Sequence, residues 1–118
     1  MAQAAVVILA GTEAPSDLGR VVNGLETAKE FADTDGDSVE LIFDGGGTQW
    51  IPELEDESHD YHALYDSVRE HVVVCSYCVD AYGVEDAVEA AEVEQVDEFE
   101  GHPSIRSLVA DGYEIITF

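Results

Sequence analysis

Basic side chains are scarce in this chain of 118 residues. It has 4 Lys and Arg residues against 27 Asp and Glu residues, which gives a formal net charge of -23. So few cations cannot form the basic patch that contacts a phosphate backbone, and we expect no direct binding of nucleic acid. The acids are spread along the chain, and molar salt would screen their repulsion by shortening the Debye length to about 3 Å. This pattern is typical of a protein from a salt-loaded cytoplasm, such as that of a haloarchaeon.

Long apolar runs are also absent. Although 46% of the residues are hydrophobic, no run approaches the roughly 20 residues that a membrane-spanning helix requires. The N-terminal run AAVVILA is short and lacks a basic leader, so we expect a buried strand there and no signal peptide. These observations predict a cytoplasmic protein with no membrane partner. A chain of this length can bury one core without disulfides, so residues 1–118 are predicted to form a single domain.

Segments with strand and helix patterns alternate along the chain. The strand candidates, of which the fourth is weak, are residues 4–10, 39–43, 72–74, 92–97 and 113–118. The helix candidates are residues 18–32, 61–71, 84–91 and 103–111, with a short helical turn at 49–54. Ser16 and Asp17 are candidate N-caps of the first helix. Five strands separated by helices predict an α/β fold, a three-layer α/β/α sandwich with a five-stranded, mostly parallel sheet.

Three loops follow the carboxyl ends of predicted strands, at residues 11–17, 44–49 and 75–78. In parallel sheets, ligands and reactive groups gather where strands end and helices begin. We therefore expect these three loops to meet at one edge of the sheet and to form a single cleft.

The only two cysteines lie in the segment EHVVVCSYCVDAYG, residues 70–83. Cys75 ends the third predicted strand, and Cys78 follows one helical turn later. Unpaired N–H groups at a helix N-terminus favour a thiolate or a persulfide anion, whereas neighbouring carboxylates oppose it. The C-x-x-C spacing also permits a disulfide, and His71 or His102 would assist a thiol if it lay nearby. The pair is a candidate thiol site, although cysteine is also a frequent core residue.

The same segment resembles the DsrE/DsrF-like family of small α/β proteins. In that family a strand ends in a cysteine-bearing loop, a helix follows, and a glycine closes the pattern. In CSYCVDAYGV, Gly83 lies eight residues after Cys75, as in single-cysteine sulfur carriers of the family, and Cys78 matches the second cysteine of two-cysteine members. Tyr82 replaces the arginine that often precedes this glycine. The resemblance extends over the whole chain, including VELIFDGGGTQW and SIRSLVADGYEIITF.

This resemblance implies a role in sulfur relay. Cys75 would accept sulfane sulfur as a persulfide or exchange thiols, and Cys78 would act as the resolving or second thiol. The resemblance also implies a homo-oligomer whose partners are sulfur donor and acceptor proteins. We expect no cofactor.

Two alternatives from other functional classes are open. Zinc would have four ligands if His59 and His62 lay beside Cys75 and Cys78, because each pair has ligand spacing. Alternatively, the protein would be a binding module without chemistry, with a cleft for a small ligand or an oligomer that acts as a scaffold.

The glycine run in FDGGGTQW raises a further alternative, a phosphate or flavin site. Such a site would use GTEAPSD as its phosphate loop and Trp50 or Tyr82 as stacking rings. The run lacks the lysine of a P-loop and the spacing of a dinucleotide-binding motif. We expect the glycines to serve a tight turn and Trp50 to pack against the sheet or a subunit interface.

Overall fold

A five-stranded sheet forms the centre of the structure. The computed structural model describes all residues, 1–118, and its strands are β1 (Gln3–Ile8), β2 (Ser38–Phe43), β3 (Val72–Cys75), β4 (Glu94–Val96) and β5 (Glu114–Thr117). Neighbouring strands lie in the order β4, β3, β2, β1, β5. Every pairing is parallel, where the sequence predicted a mostly parallel sheet. The predicted five-stranded α/β fold is confirmed.

Six α-helices connect and flank these strands. They are α1 (Pro15–Ala32), α2 (Trp50–Glu55), α3 (His62–Val68), α4 (Ser76–Ala81), α5 (Glu85–Ala91) and α6 (Ile105–Ala110). Two short 3₁₀ helices, Gly45–Gln49 and Arg69–His71, precede α2 and follow α3. None of the helices is both long enough and apolar enough to span a bilayer.

The first helix begins earlier than the sequence predicted. Its N-cap is Ala14, so the prediction of Ser16 or Asp17 as the cap was wrong. Pro15 takes the first helical position, where no N–H is needed and where its fixed φ suits the helix. Asp17 contributes from inside the first turn, because its carboxylate accepts a hydrogen bond from the Ala14 N–H at 3.2 Å.

Alternate residues of β1 pack into two cores on opposite faces of the sheet. Val6 and Ile8 belong to a large core that β1 to β3 share with helices α1 to α5. Ala5 and Val7 belong to a smaller core that α6 covers. Because both faces are covered, the strand is a continuous apolar run without alternation. Helices therefore lie on both faces, as a three-layer fold requires.

The glycine run after β2 packs directly against the end of β1. A Cβ atom on Gly47 would lie 2.0 Å from the Ile8 carbonyl oxygen and 2.8 Å from its carbon. Both are backbone atoms of a central strand, so neither moves without disturbing the sheet. Gly47 is therefore needed for this close approach, which fixes the loop after β2 against the loop after β1.

We predict that Gly47→Ala destabilises the fold by about 3 kcal/mol or more, because overpacking against backbone cannot be relieved by a rotamer change. Gly19→Ala is the matched control. It adds the same methyl group to an exposed position within α1 where nothing lies within 4 Å. That control should stabilise the protein by about 0.5 to 1 kcal/mol. Denaturant unfolding in high salt measures both, and a Gly47→Ala protein as stable as wild type would contradict the packing account.

Candidate thiol site

Pairing within the sheet positions the two cysteines. β3 is held between β2 and β4, with Val74 opposite Phe43 and Cys75 opposite Val96. Cys75 is both the last residue of β3 and the N-cap of α4, and Cys78 lies in the first turn of that helix. Both residues are buried, with relative exposures of 0% and 8%, and both are free thiols. The structure thus brings the predicted pair together without a disulfide.

Backbone hydrogen bonds cap the C-terminal end of α4, the helix that carries Cys78. Gly83 has a φ of +69°, and its N–H donates to the Asp80 carbonyl at 3.1 Å. The Val84 N–H donates to the Val79 carbonyl, also at 3.1 Å. These two bonds form a Schellman motif, in which the residue after the C-cap takes the left-handed conformation that glycine adopts most readily. The eight-residue distance from Cys75 to Gly83 is therefore the distance between the two ends of α4.

Two polar side chains from distant parts of the chain contact the thiols. Nδ1 of His102 lies 3.3 Å from the Cys75 sulfur. The Cys78 thiol donates to Oδ1 of Asp44 at 3.4 Å. The sequence pattern indicated His102 only as a conditional helper of a thiol and indicated no role for Asp44. The available signal for Asp44 was its position directly after β2, since parallel pairing puts that residue beside the end of β3.

A tight surface turn holds His102 in place. Phe99 and His102 form an antiparallel bridge through two backbone hydrogen bonds of 2.9 and 2.8 Å. Within the turn, Glu100 has a φ of 50°, which is uncommon for a residue other than glycine. The Tyr77 N–H donates to the Gly101 carbonyl at 2.8 Å, and the Tyr77 ring lies 4.6 Å from the His102 ring between centroids. The turn is thus fastened to the start of α4 and covers Cys75.

Backbone groups also fix Asp44. Its N–H donates to the Ile8 carbonyl at 3.0 Å, which continues the pairing of β1 with β2 by one residue. Its Oδ1 accepts a hydrogen bond from the Gly45 N–H at 2.8 Å. The carboxylate therefore points toward Cys78 from a loop that the close packing of Gly47 has already placed.

Cys75 is a neutral thiol in this arrangement. Burial raises its pKa to about 12, because the thiolate would lose its hydration. The backbone N–H of Cys78 works against this effect, whereas the Cys78 side chain and the negative charge of Asp44 add to it. The helix N-terminus therefore favours the thiolate, as expected, but burial has the larger effect on the pKa. Removal of water outweighs the donor that the helix supplies.

The three loops at the carboxyl edge meet, but they do not form a cleft around the cysteines. The Trp50 ring N–H bridges the Ala10 and Gly11 carbonyls at 3.0 Å each, and the ring packs in the large core. None of the four cavities is lined by Cys75 or Cys78. The prediction that the three loops form a single cleft was wrong, because packed side chains such as Trp50 fill the space between the loops. Packing of Trp50 against the sheet is as predicted, and it leaves that ring unavailable for flavin stacking.

His59 and His62 lie away from the thiols. Nδ1 of His59 accepts from the Tyr61 N–H at 3.0 Å, and Nδ1 of His62 lies 2.7 Å from the Leu54 carbonyl oxygen. Both rings thus pair with backbone hydrogen-bonding groups in and between α2 and α3. The zinc alternative that joined this pair to Cys75 and Cys78 is wrong.

Comparison with known proteins places the fold and the family. MJ0733, an uncharacterized protein of Methanocaldococcus jannaschii, is 30% identical over 81 residues, which are 69% of this chain and 66% of that protein. The structure of MTH1491 from Methanobacterium thermoautotrophicum, a protein of unknown function, superposes with a TM-score of 0.70 at 17% identity over 100% of both chains. BT1422 from Bacteroides thetaiotaomicron, also of unknown function, gives a TM-score of 0.60 at 11% identity over 97% of this chain and 94% of its own. At these identities the two structures show a shared fold.

The sequence match to a family model covers more of this chain than the match to MJ0733 does. The model of the DsrE/DsrF-like family matches residues 5–118, which include every strand from the third residue of β1 onward and the whole thiol site. The protein therefore belongs to the DsrE/DsrF-like family.

Proposed function

We propose that this protein carries sulfane sulfur as a persulfide on Cys75, with Cys78 as the second thiol. The observation that carries the proposal is a pair of free thiols at the end of β3, with an imidazole nitrogen 3.3 Å from one of them. The DsrE/DsrF-like family is associated with sulfur relay in general, which supports the same chemistry. The proposal extends to partners: sulfur donor and acceptor proteins, and further copies of this chain.

In the loading step, Cys75 needs a base because its thiol is protonated. His102 serves as that base when its own proton is on Nε2, since Nδ1 faces the sulfur. The resulting thiolate attacks the outer sulfur of a donor persulfide. A bond forms between that sulfur and Sγ of Cys75, the donor sulfur–sulfur bond breaks, and the donor thiolate leaves with the proton from His102. One persulfide is consumed and one is formed, so no external oxidant is needed.

Two routes unload the sulfur. In the first, an acceptor thiolate attacks the outer sulfur, and Cys75 leaves as a thiolate that regains its proton. In the second, Cys78 attacks Sγ of Cys75, which closes a disulfide and releases hydrogen sulfide. The second route oxidises the cysteine pair as it reduces the sulfane sulfur, so an external dithiol must then restore the pair. The two sulfurs lie within 4.8 Å of each other, and residues three apart on a helical turn can close such a bond.

Access to Cys75 requires movement of the surface turn between Phe99 and His102. Cys75 has no exposed surface, and the Gly101 carbonyl and the His102 ring both lie over its sulfur. The turn itself is on the outside of the molecule, where Phe99 is 63% exposed. A donor that contacts this turn would thus expose the thiol as it docks.

We predict that reduced protein incubated with polysulfide in high salt gains the mass of one sulfur atom, and that Cys75→Ser abolishes this gain. Cys78→Ser is the matched control. It should still take up sulfur and should hold it longer than wild type, because the disulfide route is closed. Intact-protein mass spectrometry over time measures both quantities. Equal uptake by Cys75→Ser and wild type would remove Cys75 from the mechanism.

We predict that alkylation of Cys75 is slow at neutral pH and accelerates up to strongly alkaline pH. In the Cys78→Ser variant, where Cys75 is the only thiol, the rate should rise about tenfold per pH unit without levelling at pH 9, because the pKa is raised to about 12. The same variant unfolded in denaturant should level off above its ordinary pKa of about 8.5. Iodoacetamide kinetics followed by mass spectrometry test this difference. A plateau near neutral pH in the folded variant would show a stable thiolate and contradict the burial effect.

A further inference from the structure

We infer that Asp44, Cys75, Cys78 and His102 form a binding site for a tetrahedral transition-metal ion, with Zn²⁺ as the best fit. One ligand atom from each of the four residues lies within 4.8 Å of the other three. This set differs from the histidine pair that the sequence analysis considered for zinc. It also goes beyond sulfur transfer and does not depend on it.

The distances between the ligand atoms match a tetrahedral zinc site. With Zn–S bonds of about 2.3 Å and Zn–N or Zn–O bonds of about 2.0 to 2.1 Å, a sulfur and a nitrogen or oxygen ligand are about 3.5 Å apart. The Cys75 sulfur and His102 Nδ1 are 3.3 Å apart, and the Cys78 sulfur and Asp44 Oδ1 are 3.4 Å apart. These are two opposite edges of the tetrahedron. Both are within a few tenths of an ångström of the bonded arrangement.

The donor set favours zinc and similar ions over hard cations. Two thiolates, one imidazole and one carboxylate are all ordinary zinc ligands. Calcium and magnesium require oxygen ligands, so two sulfurs exclude them. On binding, each thiol loses its proton, and the two thiolates with the carboxylate place three negative charges around a divalent ion. Protons compete with the metal, so the affinity should fall as the pH falls.

Each ligand is already held by interactions that do not involve the others. Asp44 is fixed by the Gly45 N–H, and His102 is fixed by its turn and by the Tyr77 ring. Cys75 and Cys78 sit at the end of β3 and in the first turn of α4. Such prior positioning lowers the ordering cost of binding. Asp44 and His102 are half-buried, so an ion would enter from their side.

Metal binding and sulfur loading would exclude each other. A bound ion occupies both cysteine sulfurs, so neither can attack a persulfide. The ion would also tie the Phe99–His102 turn to the sheet through His102 and so oppose the movement that exposes Cys75. The two activities are therefore alternative states of one thiol pair.

The test is a titration of reduced, chelator-treated protein with Co²⁺ under inert gas, followed by competition with Zn²⁺. We expect one equivalent per chain, with the visible bands of tetrahedral cobalt and near-ultraviolet thiolate-to-cobalt charge transfer. Asp44→Asn and His102→Gln should each weaken Zn²⁺ binding at least about 100-fold, because even residues that only orient ligands are worth roughly 10- to 100-fold. Affinity is read from competition with a chromophoric chelator.

His59→Gln and His62→Gln are the matched controls, since each replaces a histidine outside the proposed site. They should bind Zn²⁺ as wild type does. Asp44 and His102 lie outside both cores, and circular dichroism of the metal-free variants checks that they fold. If one of them does not fold, the other carries the test. Binding well below one equivalent, absence of the charge-transfer band, or wild-type affinity in a folded Asp44→Asn or His102→Gln protein would each overturn the proposal.

The outcome is separate from that of the sulfur experiment. Protein that binds zinc at one equivalent but takes up no sulfur leaves the metal site standing and removes the carrier function. Protein that takes up sulfur on Cys75 but gives no cobalt signal supports the carrier function and removes the metal site.

Discussion

The register of β3 in the sheet is the constraint on which the site depends. β3 is parallel to β2, with Val74 opposite Phe43, so the residues that follow each strand, Cys75 and Asp44, emerge side by side. A slip of one residue would turn the side chains of β3 to the opposite face of the sheet. The chain then leaves β4 on the other side of β3 and returns through the turn that carries His102. Three separate backbone segments thus meet because parallel strands end at one edge.

The short helix α4 converts this register into a fixed spacing along the sequence. Cys75 is its N-cap residue, Cys78 is its third residue, and Gly83 follows its C-cap in the left-handed conformation. The spacing from Cys75 to Gly83 in the sequence is therefore set by the length of one six-residue helix. The residue before that glycine, Tyr82, is 46% exposed and brings no positive charge. The negative charge of Asp44 contributes to the raised pKa of Cys75, because it favours the protonated thiol.

The features that the sequence predicted well are those determined by local pattern. The apolar run of β1 indicated a strand covered on both faces, and the C-x-x-C segment marked a strand end followed by a helix. The contacts that the sequence did not predict join residues that are far apart along the chain. His102 lies 27 residues from Cys75, and Asp44 lies 34 residues from Cys78, so neither pairing leaves a local signal. His59 attracted attention because it is close in sequence to another histidine.

The protonation of Cys75 depends on burial, which local sequence pattern does not reveal. The backbone N–H of Cys78 at the helix N-terminus does lower the pKa of Cys75, as its position indicated, but the sequence did not reveal how completely the sulfur would be covered. Oxidation and alkylation both require a thiolate that reagents can reach. A protonated and covered Cys75 is protected on both counts. In the proposed carrier function, movement of the turn between Phe99 and His102 would let water reach the sulfur and would remove the cause of the raised pKa. In the covered arrangement, His102 has two parts: its ring lies over the thiol, and its Nδ1 faces the sulfur at 3.3 Å.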